Sequence, residues 1–257
     1  MHMVNKLSDG HQLVLFLDYD GTLTEIVEDP DKAFLSEETR NVIRRLASIC
    51  TIAVLSGRDV EDVRRLVNVQ GIVYAGSHGF DIVDASGTRQ NNPRWLSFLP
   101  SLDKAEKKLR ETMKGIPGVI IDRKLYAIAV HYRKVEDSMV AKVRERFDKV
   151  SSSITRLRKS EGKKVFELLP DVEWNKGAAL LSLLKMLGFE GQDVTPIFIG
   201  DDLTDETAFK AIRENGIGIL VGEEDKPDTF ARYSLHNPIE VRSFLQDLIP
   251  ARLVGNS

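Results

Sequence analysis

The 257 residues carry 36 lysines and arginines against 39 aspartates and glutamates, a formal net charge of -3 at neutral pH. That balance excludes a broad basic field for nucleic acid or an anionic membrane, so any anion the protein binds must be held locally. The length suffices for one large domain or for a core with a smaller inserted one, and the single cysteine, Cys50, excludes an internal disulfide framework.

No apolar stretch approaches the roughly 20 residues of a membrane span, and the first residues lack the charged-then-apolar pattern of a secretory leader. The expectation is a soluble cytoplasmic monomer that engages neither nucleic acid nor membrane. Cys50, where a helix pattern runs into a strand, reads as packed and inert, since no basic neighbour is evident to lower its pKa.

From Gln12 to Gly79 apolar strands alternate with helical patterns. These are Leu13–Leu17, a helix over Ser36–Ser48, Thr51–Leu55, a helix over Asp59–Val67, and Ile72–Ala75. That rhythm predicts βαβ units and a parallel sheet. Ser36 followed by Glu37 and Glu38 is a helix start with acids at the favourable end of the dipole.

From Phe80 to Pro170 the rhythm changes. Phe80–Asp84 reads as a strand before the Ser86-Gly87 turn, Leu102–Met113 as a charged helix, and Val119–Asp122 with Tyr126–Tyr132 as paired strands. A second helix over Glu136–Val150 precedes another pair, Ile154–Leu157 and Lys164–Leu169, turning around Ser160-Glu161-Gly162. Strand pairs interleaved with two helices predict a small antiparallel sheet covered on one face.

After Asn175 the first rhythm returns, with a helix over Lys176–Leu187, strand Thr195–Ile199, helix Asp205–Glu214, strand Ile217–Val221 and a closing helix over Ile239–Leu248. The fold class expected is α/β: a Rossmann-like parallel-sheet core, residues 1–79 and 171–257, interrupted by an α+β cap domain over residues 80–170.

Two apolar strands end in acids. Leu13–Leu17 leads into Asp18-Tyr19-Asp20-Gly21-Thr22, and Pro196–Ile199 into Gly200-Asp201-Asp202-Leu203-Thr204-Asp205. Carboxyl ends of parallel strands are where open α/β sheets hold ligands. If the two strands are neighbours, Asp18, Asp20 and Asp201 supply hard oxygen ligands for Mg2+. Asp18 and Asp20 also project to one side of an extended segment, so one suits a nucleophile and the other a general acid/base. A phosphate ester is the substrate for such a pair, provided cations and N–H groups offset its negative charge. Ser56-Gly57-Arg58, between a strand and a helix start, offers a hydroxyl and free N–H groups as a phosphate seat. Lys176, in Asn175-Lys176-Gly177, offers a neutralising ammonium.

This ordered set resembles the haloacid dehalogenase superfamily of aspartyl phosphatases: Asp18-Tyr-Asp20-Gly-Thr-Leu matches its first motif, Ser56 its second, Lys176 its third and Gly200-Asp201-Asp202-Leu-Thr-Asp205 its fourth. The resemblance implies that Asp18 forms an aspartyl-phosphate and that Asp20 protonates the leaving oxygen and then activates water. It further implies Mg2+ on the Asp18 carboxylate, the Asp20 carbonyl and the Asp201 carboxylate, with Asp202 or Asp205 as a further ligand or a support.

The middle zone is similar to that of trehalose-6-phosphate phosphatases. The similarity rests on Gly76-Ser77-His78-Gly79, on His131-Tyr132-Arg133 and on Gly162-Lys163-Lys164-Val165-Phe166-Glu167-Leu168-Leu169-Pro170 followed by Asn175-Lys176-Gly177. This implies a C2-type cap inserted after the third core strand and closing over a phosphorylated disaccharide. Glu167 then accepts from sugar hydroxyls, while Lys163, Arg123, His131 and Arg133 donate to sugar or phosphate and His78 contacts phosphate. Other glycosyl phosphates (sucrose phosphate, glucosyl- or mannosyl-phosphoglycerate, glucosylglycerol phosphate) and a non-catalytic sugar-phosphate sensor are the alternatives. Trp95 and Trp174 read as packing residues rather than sugar platforms.

Overall fold

A computed structural model describes residues 12–27, 32–90, 92–162, 164–189, 194–222 and 228–253 of the chain, which divides into two units, Met1–Gln90 with Trp174–Ser257, and Asn91–Glu173.

The first unit is built on an eight-stranded sheet. Its strands are β1 (Gln12–Leu17), β2 (Thr51–Leu55), β3 (Val73–Gly76), β4 (Asp81–Val83), β5 (Arg89–Gln90), β10 (Val194–Gly200), β11 (Ile217–Val221) and β12 (Tyr233–Leu235), in the order β12-β11-β10-β1-β2-β3-β4-β5. From β12 to β3 every pairing is parallel, whereas β4 and β5 are added antiparallel. β1 lies between β2 and β10, where the strand order reverses direction, so the crevice for a ligand opens beyond its carboxyl end.

Both faces of the sheet are covered, which is why its strands read as continuous apolar runs. Leu13, Leu15 and Leu17 belong to a core with Ile43 and Leu46 of α1 (Glu37–Ala47), Val63 and Leu66 of α2 (Val60–Val67), and Val241 and Leu245 of the C-terminal helix Pro238–Leu253. Val14 and Phe16 face the opposite core, with Leu180 and Leu183 of the helix Lys176–Met186 and Phe209 of the helix Glu206–Ala211. Each large apolar side chain buried this way contributes roughly 1.5–3 kcal/mol. The Ser36 side chain caps α1 by accepting from the Thr39 N–H at 3.1 Å, as its sequence context predicts.

The second unit begins with helices α3 (Pro93–Leu96) and α4 (Leu99–Thr112). It continues as β6 (Ile120–Lys124), β7 (Ala127–His131), α5 (Asp137–Ser152), β8 (Leu157–Gly162) and β9 (Val165–Pro170), whose strands form an antiparallel sheet in the order β6-β7-β9-β8. Phe147 of α5 stacks on Phe166 at 5.2 Å, and Asp103 of α4 takes a hydrogen bond from Arg123, so these helices cover the face that carries Arg123 and Phe166. In chain order the helices α6 (Lys176–Met186), α7 (Glu206–Ala211) and α8 (Pro238–Leu253) then complete the first unit.

Several details differ from the sequence expectation: the second unit runs to Glu173 rather than Pro170, and the expected strand Ile154–Leu157 is turn up to Leu157, where β8 begins. Residues 80–90 were assigned to the inserted zone, but β4 and β5 extend the core sheet from β3, and the chain leaves the first unit at Gln90. The Ser160-Glu161-Gly162 segment, expected as a turn, is the end of β8, paired residue for residue with Val165–Glu167. Among the described residues no helix is long and apolar enough to cross a membrane.

The β3–β4 hairpin buries an acid. Asp81 is 1% exposed, and among the described residues neither carboxylate oxygen has a hydrogen-bond partner; its compensation is an ion pair of 3.2 Å with Nε of Arg89, a residue whose Nη2 also donates to Glu61 of α2 at 2.7 Å. Burial pushes the Asp81 carboxyl from 3.8 up to about 6, against the attraction of Arg89. The folded state therefore favours the protonated acid. The stabilisation linked to that proton is complete below about 3.8 and is lost as pH rises through about 6. Melting temperatures of Asp81→Asn and the parent protein, compared between pH 4 and pH 8, should shift steadily in favour of the variant as pH rises; a pH-independent difference would contradict the buried-acid account.

Candidate active site

Backbone register brings the two acidic strand ends together. Leu17 of β1 pairs with Ile199 of β10 and with Val54 of β2, and the Asp18 N–H donates to the Ile199 carbonyl at 2.9 Å. Asp18, Asp201 and Ser56 thus leave neighbouring strands at the carboxyl end of the sheet. Gly21, at φ +83°, turns the chain back, and a side chain there would overlap Asp201, since its Cβ would lie 2.1 Å from Oδ2. Thr22 Oγ1 donates to Asp201 Oδ1 at 3.3 Å from the same turn.

The centre of the site is a buried ion cluster. Lys176, the first residue of α6, is 4% exposed and donates from Nζ to Asp18 Oδ1 at 2.8 Å and to Asp205 Oδ1 at 2.6 Å. Asp205 Oδ2 accepts from the Asp201 and Asp202 N–H groups at 2.9 and 3.0 Å. Only glycine fits at position 200, because a Cβ there would lie 2.4 Å from the Asp205 carboxyl carbon. Asp202 turns its Oδ1 to the Thr204 N–H and hydroxyl and stands 4.0 Å from Lys176 Nζ. Between these two acids, which the sequence left unranked, Asp205 is the one gathered at the centre.

Oxygens of Asp18, Asp201 and Asp205 lie within 4.8 Å of one another. Burial pushes Asp18 up to about 7 despite Lys176. Burial, with Asp205 and Asp202 nearby, pushes Asp201 to about 6, while the Lys176 ammonium is held charged by Asp18 and Asp205. A cluster of hard oxygens with more negative than positive charge fits a divalent cation, which would relieve the repulsion.

Beside this cluster, Ser56 is buried with its N–H on the Ala75 carbonyl at 2.9 Å and its Oγ accepting from the Arg58 N–H at 3.2 Å. Gly57 lies against the His78 ring, so close that a Cβ would fall 2.8 Å from Cε1, and His78 itself adopts φ +57°. Its carbonyl accepts from Trp174 Nε1 at 3.1 Å, and the Trp174 ring lies 5.7 Å from that of Phe80. Arg58 departs from the sequence reading. Its guanidinium forks the Asp20 carboxylate, Nε to Oδ2 at 2.7 Å and Nη2 to Oδ1 at 2.6 Å.

The second unit sorts its candidates by strand parity. Ala129 pairs with both Asp122 and Glu167, which puts Asp122, Lys124, His131 and Glu167 on the same face of the sheet. Lys124 Nζ stands 3.7 Å from Glu167 Oε1, and burial lowers the His131 pKa with Asp122, Lys124 and Glu167 nearby. Arg123 belongs to the opposite, helix-covered face, paired with Asp103 and Glu106 of α4, which removes it from the set. Lys124 was missed, although the alternation that excludes Arg123 would have found it. Arg133 lies exposed beyond β7, and Lys163 falls outside the described residues.

A family model described as trehalose-phosphatase matches residues 16–238. Trehalose-phosphate phosphatase B of Arabidopsis thaliana is 44% identical over 251 residues, 93% of this chain and 67% of the plant protein. Trehalose 6-phosphate phosphatase RA3 of Zea mays is 42% identical over 254 residues, 93% of this chain and 70% of its own. Among solved structures, a trehalose-6-phosphate phosphatase related protein superposes with a TM-score of 0.79 at 27% identity, covering 94% of this chain and 99% of its own. The C-terminal domain of the C. albicans trehalose-6-phosphate phosphatase shares the fold, with a TM-score of 0.76 at 24% identity, over 97% of this chain and 96% of its own.

The crowded acids predict a trade between stability and cation response. Asp201→Asn removes a repelled, partly buried charge at nearly constant shape, so at pH 8 without divalent cations the variant should melt higher than the parent. Added Mg2+ should raise the parent's melting temperature, by about 2.7 kcal/mol of stability at a hundredfold excess over its dissociation constant, and leave the variant's unchanged. An equal Mg2+ response in both proteins would remove Asp201 from the cation site.

Proposed function

This chain belongs to the trehalose-phosphatase family, and on that premise we propose that it hydrolyses trehalose 6-phosphate to trehalose and inorganic phosphate. The observation that carries the reading is the Asp18 carboxylate at the end of β1, held by Lys176 at 2.8 Å with Asp20 and Ser56 at the same carboxyl end of the sheet.

In this reading an Asp18 oxygen attacks phosphorus as the bond from phosphorus to the sugar oxygen breaks, and Asp20 passes its proton to the departing oxygen. Asp20, now a carboxylate, then takes a proton from the water that attacks the aspartyl-phosphate, which releases phosphate and restores Asp18. Lys176 offsets charge on the phosphate, and Ser56 with the Gly57 loop seats its oxygens. The Asp18 and Asp201 carboxylates and the Asp20 carbonyl would hold Mg2+, whose positive charge would offset the phosphate's. Asp205 is read as the support that fixes Lys176, and Asp202 as added negative charge beside it.

Selection of the sugar is assigned to the polar sheet face of the second unit. Glu167 accepts from sugar hydroxyls, while His131 and Lys124 on the same face donate to them. Such directional groups discriminate strongly because a wrong sugar leaves them unpaired.

Phosphate release from a panel of sugar phosphates, with and without Mg2+, tests the proposal. Trehalose 6-phosphate should be turned over with the highest kcat/KM. Asp18→Asn should lose at least about a thousandfold, and Asp20→Asn about 10²–10⁴-fold while retaining substrate binding. Preference for another glycosyl phosphate would overturn the substrate, and the absence of any Asp18-dependent release would leave a sugar-phosphate sensor.

A further inference from the structure

The Ser-Gly-Arg loop reads in sequence as a phosphate seat, yet its arginine is committed elsewhere. The Arg58 fork to Asp20 is side-on and bidentate, with both distances under 2.8 Å, the geometry of the strongest carboxylate contacts. One feature positions the guanidinium and two fix the backbone that carries it. The guanidinium lies over the Tyr19 ring at 5.5 Å, and that ring is fully buried with its hydroxyl donating to the Ala33 carbonyl at 2.5 Å. The Arg58 carbonyl accepts from the Ser77 N–H at 2.7 Å, and its N–H donates to Ser56 Oγ. Gly76 packs against this backbone so tightly that a Cβ would fall 2.8 Å from the Arg58 oxygen and 2.4 Å from the Val60 nitrogen.

Asp20 is the more exposed partner: its side chain is 41% exposed against 14% for Arg58, it precedes the Gly21 turn, and the fork is what selects one rotamer for it. A general acid must hold its proton within hydrogen-bond reach of the leaving oxygen, so a displaced rotamer removes its contribution.

We propose that Arg58 is a positioning residue for Asp20: anchored on Tyr19 and the Ser77 backbone, its guanidinium orients the acid/base carboxyl, keeping a bond to one oxygen while the other is released from the fork to carry the proton, and so acts on leaving-group departure rather than on phosphate binding. The inference rests on the phosphatase reading above and deepens it.

Leaving groups separate the two roles. A sugar alkoxide needs its proton as the phosphorus–oxygen bond breaks, whereas p-nitrophenolate departs without one, and kcat/KM reports events up to that first cleavage. Arg58→Ala should lower kcat/KM for trehalose 6-phosphate about 10²–10³-fold and for p-nitrophenyl phosphate far less. In an Asp20→Asn background the same change should add little to the loss on the sugar phosphate, since both substitutions remove one function. Arg58→Lys, which keeps the charge and the stem over Tyr19 without the planar fork, should fall between and serves if the alanine variant does not fold.

Equal losses on both substrates, with weaker inhibition by inorganic phosphate, would make Arg58 a phosphate ligand and overturn the proposal. So would full additivity with Asp20→Asn. If the parent protein turns over p-nitrophenyl phosphate but not trehalose 6-phosphate, the proposed substrate fails, and the same ratio measured on whichever sugar phosphate is cleaved still decides the role of Arg58. Inactivity on every ester would overturn both.

Discussion

A buried ammonium shared by two carboxylates is the constraint around which the first unit is arranged. Lys176 begins a helix, the end where the dipole disfavours a cation, and it is almost fully desolvated. Asp18 and Asp205 offset both penalties, and neither is tolerable at that depth without it. The surrounding glycines follow from this packing. Gly200 leaves room for Asp205, and Gly177, where a Cβ would fall 2.2 Å from the Thr207 carbonyl, lets the start of α6 close on α7. Removing Lys176 would leave two carboxylates facing each other in the interior with no cation between them, so the ammonium is the member the cluster cannot lose.

On the other side of β1 the Ser56-Gly57-Arg58 loop is held by a different network. Its N–H and carbonyl groups bond to Ala75, Ser77 and His78, at the end of β3 and in the left-handed turn that follows it. The helix that the loop opens is tied through Glu61 to Arg89, and so to buried Asp81 on β4. The two antiparallel strands added to the sheet therefore buttress the loop that carries Ser56 and Arg58. Strained backbone at Ser77 and His78, each with positive φ, persists because these bonds over-determine it.

What could be read in the sequence was whatever depends on local pattern. The apolar runs of β1 and β10 place their acids at strand ends without reference to the rest of the chain, and Ser36 and Asp59 cap their helices as residues of that type do. What could not be read depends on register or on partners distant in sequence. A strand of two residues, β5, has no periodicity to detect. The β8 segment Ser160-Glu161-Gly162 looks like a turn because its polar residues and glycine hide a pairing that only β9 supplies. The pairing of Arg58 with Asp20 could not be read because nothing in its own neighbourhood reveals that Asp20, 38 positions earlier, lies within its reach. The choice between Asp202 and Asp205 likewise turns on how a single loop folds back onto Lys176.

The charge balance of the site explains why its fold is not optimised for its own stability. Asp18, Asp20, Asp201, Asp202 and Asp205 gather at the carboxyl end of the sheet against Lys176 and Arg58, and Asp18, Asp201 and Asp205 are raised above the usual carboxylate range. An apolar or singly charged arrangement would pack there at lower cost. A phosphate dianion, however, is repelled by a carboxylate nucleophile, and an excess of acids that recruits a cation places positive charge where that repulsion is greatest. The same excess that strains the protein without a cation is what suits the site to bind one and then a phosphate ester, a trade of stability for function that is local to this cluster.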